Sequence, residues 1–325
     1  MTADSSLEGG TSSSDRSSTL WSEISLVSVA VIWGVNIPLM KIGLDRIDPY
    51  VFNAVRLTVS ALVLNLFAWR EFRRGASSKP SVSFRELCLF SAMIAAVYQV
   101  LFLVGVNLTT SGNTALIMAT VPMWTALLAR IFIHEQLRKI AWWGLTVALV
   151  GTAIVAFQND STTLAGSTFL GNCLILGAAL TWSGGTVYSK PLLHRISPLQ
   201  LSAYAAALAL PVHLMIAVGR YEQNLPALQS SEMWLIILYS GVFSSGLTLP
   251  MWNYGVRHAG PAHASVIQNL IPLVAIIAAW LIRDEPVTSA QALGGVLILG
   301  GVIMVRQGKH HVLRASDLST EEVSE

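Results

Sequence analysis

Nine side chains of this 325-residue chain have the types and settings to grip a small molecule: Trp33, Asn36, Arg56, Tyr98, Gln99, Trp182, Trp252, Gln268 and Asn269. Each lies in a long apolar run. An amide left unpaired in hydrocarbon is costly, so these amides must face one another, water or a ligand. A buried indole N–H needs an acceptor. A guanidinium can hold a carboxylate or phosphate through two parallel hydrogen bonds. This is the chemistry of recognition. Bond-making would need a nucleophile with its base, or a metal cluster, and no His-x-x-x-His pair, acidic dyad or Cys-His arrangement occupies an apolar run. An enzyme is not expected, nor is any cofactor or metal. Cys88 and Cys173 read as small packing residues.

Every Asp and Glu falls in a tail, a loop or the end of a run, and His213 is the one other titratable candidate well inside a run apart from the basic residues. Proton-driven carriers commonly relay through intramembrane Asp, Glu or His. Were the chain a membrane carrier, this pattern would favour facilitated diffusion or weakly coupled exchange. Arg56 has two open readings, a substrate or gate contact and a structural partner of Asp45 or Asp48. Lys41 and Lys190 read as interfacial anchors, and Glu135 and Glu285 as organisers of helix ends.

The elements that must position these groups are membrane helices. The chain is 53% hydrophobic and only 12% charged, against about 25% charged in soluble domains. Its apolar runs approach the roughly 20 residues a helix needs to cross a bilayer. Ten spans are expected, at 24–44, 50–69, 86–107, 113–133, 140–158, 169–189, 198–218, 233–255, 262–282 and 288–306. Residues 1–20 and 307–325 read as polar tails, the first disordered. With the N-terminus inside, fifteen of the 20 Lys and Arg lie in inner segments, three (Arg46, Arg220, Arg283) in outer ones, and Lys41 and Arg56 within spans. The positive-inside rule then puts both termini in the cytoplasm, in a multi-pass protein of the plasma membrane.

The spans repeat. Trp33-Gly34-Val35-Asn36-Ile37-Pro38-Leu39-Met40-Lys41 is answered 149 positions later by Trp182-Ser183-Gly184-Gly185-Thr186-Val187-Tyr188-Ser189-Lys190, and Pro49 by Pro198. At an offset of 150, Gly105 pairs with Gly255, Pro122 with Pro272, Glu135 with Glu285, Gly144 with Gly294 and Gly151 with Gly301. The chain thus divides into two five-span units, 24–158 and 169–306. Five is odd, so the second unit enters from the opposite side, giving an all-α membrane fold of two inverted five-helix repeats with a mid-depth site. Gly34, Pro38, Gly184 and Gly185 are expected to interrupt or hinge the first and sixth spans, and Pro122 and Pro272 the fourth and ninth. Gly144 with Gly151, and Gly294 with Gly301, suit close contact of the terminal spans.

These residues resemble the drug/metabolite transporter superfamily, in its EamA-type ten-helix branch, over about 24–306. The most specific stretch is Thr110-Ser111-Gly112-Asn113-Thr114-Ala115-Leu116-Ile117, continuing through Ala119-Thr120-Val121-Pro122 to Glu135. Its echo is Ala262-His263-Ala264-Ser265-Val266 through Pro272 to Glu285. The Trp-Gly-x-Asn opening fits too. The resemblance implies a central cavity between the repeats and alternating access, with an amino acid or similar small polar cargo moving outward. Drugs, nucleotide sugars or sugar phosphates are the second carrier reading, and a non-transporting scaffold or receptor the reading from another class. The expected partners are the small-molecule cargo and the bilayer, with no nucleic acid. The sequence sets no oligomeric state, and a monomer suffices.

Overall fold

The computed structural model describes residues 13–75, 81–108, 117, 118, 120–157, 167–283, 287–290 and 292–305. Among them every regular element is helical. The first half holds α1 (Ser13–Leu44), α2 (Pro49–Arg73), α3 (Phe84–Ser91), a π-helix π1 (Ala92–Val97), α4 (Tyr98–Leu108), α5 (Val121–Phe132) and α6 (Lys139–Phe157). The second holds α7 (Ser167–Leu192), α8 (Pro198–Ala217), α9 (Tyr221–Leu228), α10 (Ser231–Leu238), a second π-helix π2 (Tyr239–Leu247), α11 (Thr248–Ala259), α12 (Pro261–Ile267), α13 (Leu270–Arg283) and α14 (Ala292–Val305). Among the described residues, seven helical stretches are long and apolar enough to cross a membrane, and three shorter apolar helices accompany them.

Helix starts obey local chemistry. Asp48 and Ser197, 149 positions apart, cap α2 and α8, and each is followed by the Pro that suits a first helical turn. Ser83 and Glu86 close a capping box on α3. Glu86 also takes Arg195 from the loop before α8, while Glu232 in the first turn of α10 takes Arg46 at 2.5 Å. Arg46 and Arg195 are 149 positions apart, so each half clips a helix start of the other. The bond to Glu86 holds the Arg195 guanidinium above its ordinary pKa.

Two expectations about backbone are corrected. α1 begins at Ser13, inside the stretch read as a disordered tail. Apolar patterning marks where lipid contact ends, and a helix can run on past that edge. The first and sixth spans are also unbroken, since α1 runs through Gly34 and Pro38 and α7 through Gly184 and Gly185. These glycines serve close approach instead. A Cβ on Gly34 would lie 2.6 Å from Val274 Cβ, and one on Gly185 would lie 2.6 Å from Ile94 Cγ1 in π1. The departures from α-helical bonding fall elsewhere. π1 and π2 end at Val97 and Leu247, 150 positions apart. Gln268 and Asn269 form the turn between α12 and α13. Pro122 and Pro272 sit in the first turns of α5 and α13. Pro272 has no N–H to offer the Gln268 carbonyl, which accepts from Ile271 N at 2.9 Å.

Most packing joins one half to the other. α1 lies against α11 and α13, and α7 against α4 and α5. α2 packs on α8 and π2, and α8 on π1. A Cβ on Gly144 would meet Gly301 O at 2.6 Å, and one on Gly151 would meet Gly294 O at 2.6 Å, so α6 and α14 touch backbone to backbone. The principal core runs between α1, α7, α8 and α11 and carries Leu26, Trp182, Leu201, Trp252 and Val256. The tails beyond 13 and 305, Glu285 and most of the 110–119 motif lie outside the described residues.

Candidate functional site

Three tryptophans from three helices form a triangle at the centre of that core. α1 supplies Trp33, α7 Trp182 and α11 Trp252. Ring centroids are 5.7 Å apart for Trp33 and Trp182, and 5.8 Å for each of the other two pairs. Tyr98 of α4 joins at 4.9 Å from Trp182, and Phe102 stacks on Tyr98 at 5.8 Å. Such ring pairs add about 0.5–1.5 kcal/mol each beyond their buried area. The π-helices set which residues face this cluster. An i→i+5 turn carries more residues than an α-turn and shifts the register of the residues beyond it. Tyr98 and Gln99 are the first residues after π1, Thr248 is the first after π2, and Trp252 stands one turn on.

The three indole N–H groups differ. Trp33 Nε1 donates to the Ser244 carbonyl at 2.8 Å and to Thr248 Oγ1 at 2.9 Å. Trp182 and Trp252, 6% and 2% exposed, have buried indole nitrogens with no hydrogen-bond partner among the described residues. A buried donor left unpaired costs about 1–3 kcal/mol. Both of these donors lie in the one ring cluster.

Beside the rings lies Arg56 of α2, 8% exposed. Its Nε donates to Asn53 Oδ1 at 2.9 Å, one terminal nitrogen to Ser245 Oγ at 3.2 Å, and the other to Gln99 Oε1 at 3.3 Å. The partnership with Asp45 or Asp48 weighed from sequence is not formed. Asp48 caps α2 and pairs with Arg220 at 3.2 Å. Among the described residues no carboxylate forms an ion pair with Arg56. The guanidinium is held instead by a neutral chain. His213 Nε2 lies 2.7 Å from the Ala95 carbonyl, which can only accept, so Nε2 carries the proton. That leaves His213 Nδ1 to accept from Asn53 Nδ2 at 3.3 Å, which turns Asn53 Oδ1 toward Arg56.

The cationic and aromatic parts adjoin at two points. Ser244 bonds Trp33 and Ser245 bonds Arg56, while Tyr98 packs tilted against Trp182 and Gln99 bonds Arg56. Seven of the expected nine residues thus stand near this junction or in its wall: Trp33, Asn36, Arg56, Tyr98, Gln99, Trp182 and Trp252. Asn36 serves to join helices, accepting from Ser240 Oγ at 2.6 Å and donating to Met40 Sδ at 2.9 Å. Gln268 and Asn269 form the α12–α13 turn, where Gln268 Oε1 is buried with no partner among the described residues and Asn269 is 4% exposed.

Sequence reading missed Asn53, Ser240, Ser244 and Ser245. Asn53 could have been found, because it precedes Arg56 by three and shares its helix face. The serines carried no signal, since their positions depend on the π2 register. Elsewhere the Glu135 carboxylate faces the start of α12, 3.5 Å from Ala262 N, and Lys190 Nζ donates to the Arg257 carbonyl at the end of α11. Both tie helix ends.

The EamA-like transporter family model matches residues 20–157 and again 169–307. The chain belongs to the EamA-like transporter family. It is a multi-pass membrane protein of that family. Its relatives include the uncharacterized transporter YoaV of Bacillus subtilis, 24% identical over 86% of this chain and 95% of that one. The uncharacterized inner membrane transporter YedA of Escherichia coli is 28% identical over 88% of this chain and 90% of that one. A probable terminal-alkyne amino-acid exporter of Streptantibioticus cattleyicolor is 26% identical over 87% and 92%. A crystal structure of a protein 16% identical superposes with a TM-score of 0.74, covering 90% of this chain and 99% of the other. At that identity the likeness is one of fold alone.

Proposed function

We propose that this EamA-family protein carries a small polar metabolite, an amino acid or related compound, outward across the plasma membrane by alternating access. In this reading ten spans form two inverted five-helix units, 24–158 and 169–306, with both termini in the cytoplasm. The cargo passes between the units at the ring cluster. The observation that carries the reading is the junction of Trp33, Trp182, Trp252 and Arg56, built from helices of both units and furnished with buried donors that have no partner among the described residues. The exchange of packing between halves supports it, since α1 against α11 and α13 corresponds to α7 against α4 and α5.

Several features favour this cargo class over phosphorylated compounds. A sugar phosphate would call for several cations, whereas Arg56 is the cation joined to the ring cluster. Both His213 ring nitrogens are committed to neutral partners, which fits a facilitative carrier better than a proton relay. The test is flux of radiolabelled amino acids from proteoliposomes holding the purified full-length protein. Saturable flux is expected, persisting without an imposed pH gradient and reduced by Trp182→Ala. Absence of flux for every amino acid tried, with the protein folded, would refute the reading.

A further inference from the structure

We propose that Arg56 is the anchor for a carboxylate on the cargo. The transported molecules are then organic carboxylates whose apolar or aromatic body lies against the Trp33–Trp182–Trp252 cluster. This deepens the transport reading above and rests on it.

The argument begins with charge. A buried cation needs an anion or a dense set of dipoles. Arg56 has dipoles only, from Asn53, Ser245 and Gln99, and no ion pair among the described residues. The equivalent position in the second half is Ala205, so the charge is no part of the repeat's architecture. A guanidinium has five N–H donors, and three of them are used here. The strong bond is at Nε, and the two long ones are at the terminal nitrogens that a carboxylate would meet. The Ala95–His213–Asn53 chain fixes the Nε end, so the fork is held in place before any cargo arrives.

The neighbouring groups discriminate further. Trp182 and Trp252 add two unpaired donors, whose complement is an acceptor-rich ligand. An amine that lacks a carboxylate would bring an uncompensated second cation next to Arg56. A dianionic phosphate would bring one charge more than Arg56 can balance. A single carboxylate matches the charge and the planar geometry of the fork. In this proposal the apolar or aromatic body of the cargo lies against the indoles of Trp33, Trp182 and Trp252.

The experiment uses full-length protein in proteoliposomes and matched probes: L-leucine, L-phenylalanine and 3-phenylpropionate, with the amide and methyl ester of each, and the amines isoamylamine and phenethylamine. Binding is read from the ligand-induced shift in melting temperature and transport from counterflow. At least one carboxylate is expected to bind about tenfold to hundredfold more tightly than its own amide, ester or amine. Arg56→Gln should abolish that preference and bring the carboxylate down to the level of the amide, and Arg56→Lys should restore part of it. The melting temperature of each variant without probe separates loss of binding from loss of folding. The assignment is overturned if amides or amines bind as well as carboxylates, if no carboxylate binds, or if folded Arg56→Gln keeps the preference. Flux of amines or esters with carboxylates excluded would sink this assignment and leave transport standing. Absence of flux for every probe would sink both.

Discussion

Replacing Asn53 by Asp separates an anion receptor from a structural charge. The new carboxylate would stand where Asn53 Oδ1 now accepts from Arg56 Nε at 2.9 Å. If Arg56 serves only the fold, an internal counter-ion should do no harm to function. Unit charges near 4 Å attract by about 4 kcal/mol at an effective dielectric of about 20. Taking the new charge out of water costs on the order of several kcal/mol. These terms nearly cancel, and the lost Asn53 Nδ2 donor to His213 Nδ1 costs about 1–3 kcal/mol, so the variant should be less stable than the parent by about that much. Cargo binding should not survive. A cargo carboxylate at the far side of the guanidinium, about 6 Å from the new one, would be repelled by about 3 kcal/mol, a loss of roughly a hundredfold in affinity. Asn53→Leu is the contrasting variant. It removes partners from Arg56 Nε and His213 Nδ1, costing about 2–4 kcal/mol of stability, but leaves the positive charge and therefore a residual preference for carboxylates. Thermal melting in detergent, with and without L-leucine, L-phenylalanine and 3-phenylpropionate, reads both effects. A stable Asn53→Asp protein that still binds the carboxylates as tightly as the parent would refute the reasoning.

The same geometry sets other expectations. Trp33→Phe loses two hydrogen bonds and should destabilise by about 1–3 kcal/mol, whereas Trp182→Phe and Trp252→Phe remove unpaired donors and should cost less stability while lowering transport; melting curves beside counterflow rates test the contrast. Gly301→Val forces a side chain into the α6–α14 contact, where a Cβ on Gly301 would press on Gly144 O and lie 2.7 Å from Ala148 N, and should destabilise by about 1–3 kcal/mol or more, read as a lower melting temperature. Arg46→Ala and Arg195→Ala break solvent-exposed clips at the two faces and should barely move the melting temperature. A large drop for either would show that the clip does more than join loops.

Much of the architecture was legible because lipid imposes a simple rule on sequence. A span must be apolar over its length, so long helices show as runs; seven described helical stretches are long and apolar enough to cross a membrane, and α1 starts earlier than its run, at Ser13. The repeat offset located equivalent parts without any structure, including Trp33 with Trp182 and the Gly144 and Gly151 contacts. Helix geometry within spans was harder to read. Gly34, Pro38, Gly184 and Gly185 suggested breaks, yet those helices are continuous and the glycines make room for neighbours. The π-helices carry no composition signal, because an i→i+5 bond depends on packing from both sides. They decide the register of Tyr98, Gln99, Ser244 and Ser245, which is why Trp33 and Arg56 could be nominated from sequence while the serines that bond them could not. The neutral support of Arg56 was hidden for a related reason. Ala95, His213 and Asn53 lie on three different elements, and only the fold brings them into one chain.

Access to the ring cluster from both sides of the membrane is the most direct test. In a protein with Cys88 and Cys173 replaced by Ser, Gln99→Cys places a thiol beside both Arg56 and Tyr98. Membrane-impermeant thiol reagents are applied from outside to oriented vesicles, and from inside to inverted ones, with and without the carboxylate that binds best. The account predicts labelling from each side in turn, slowed when that carboxylate is present. Labelling from neither side, or from one side under every condition, would contradict it.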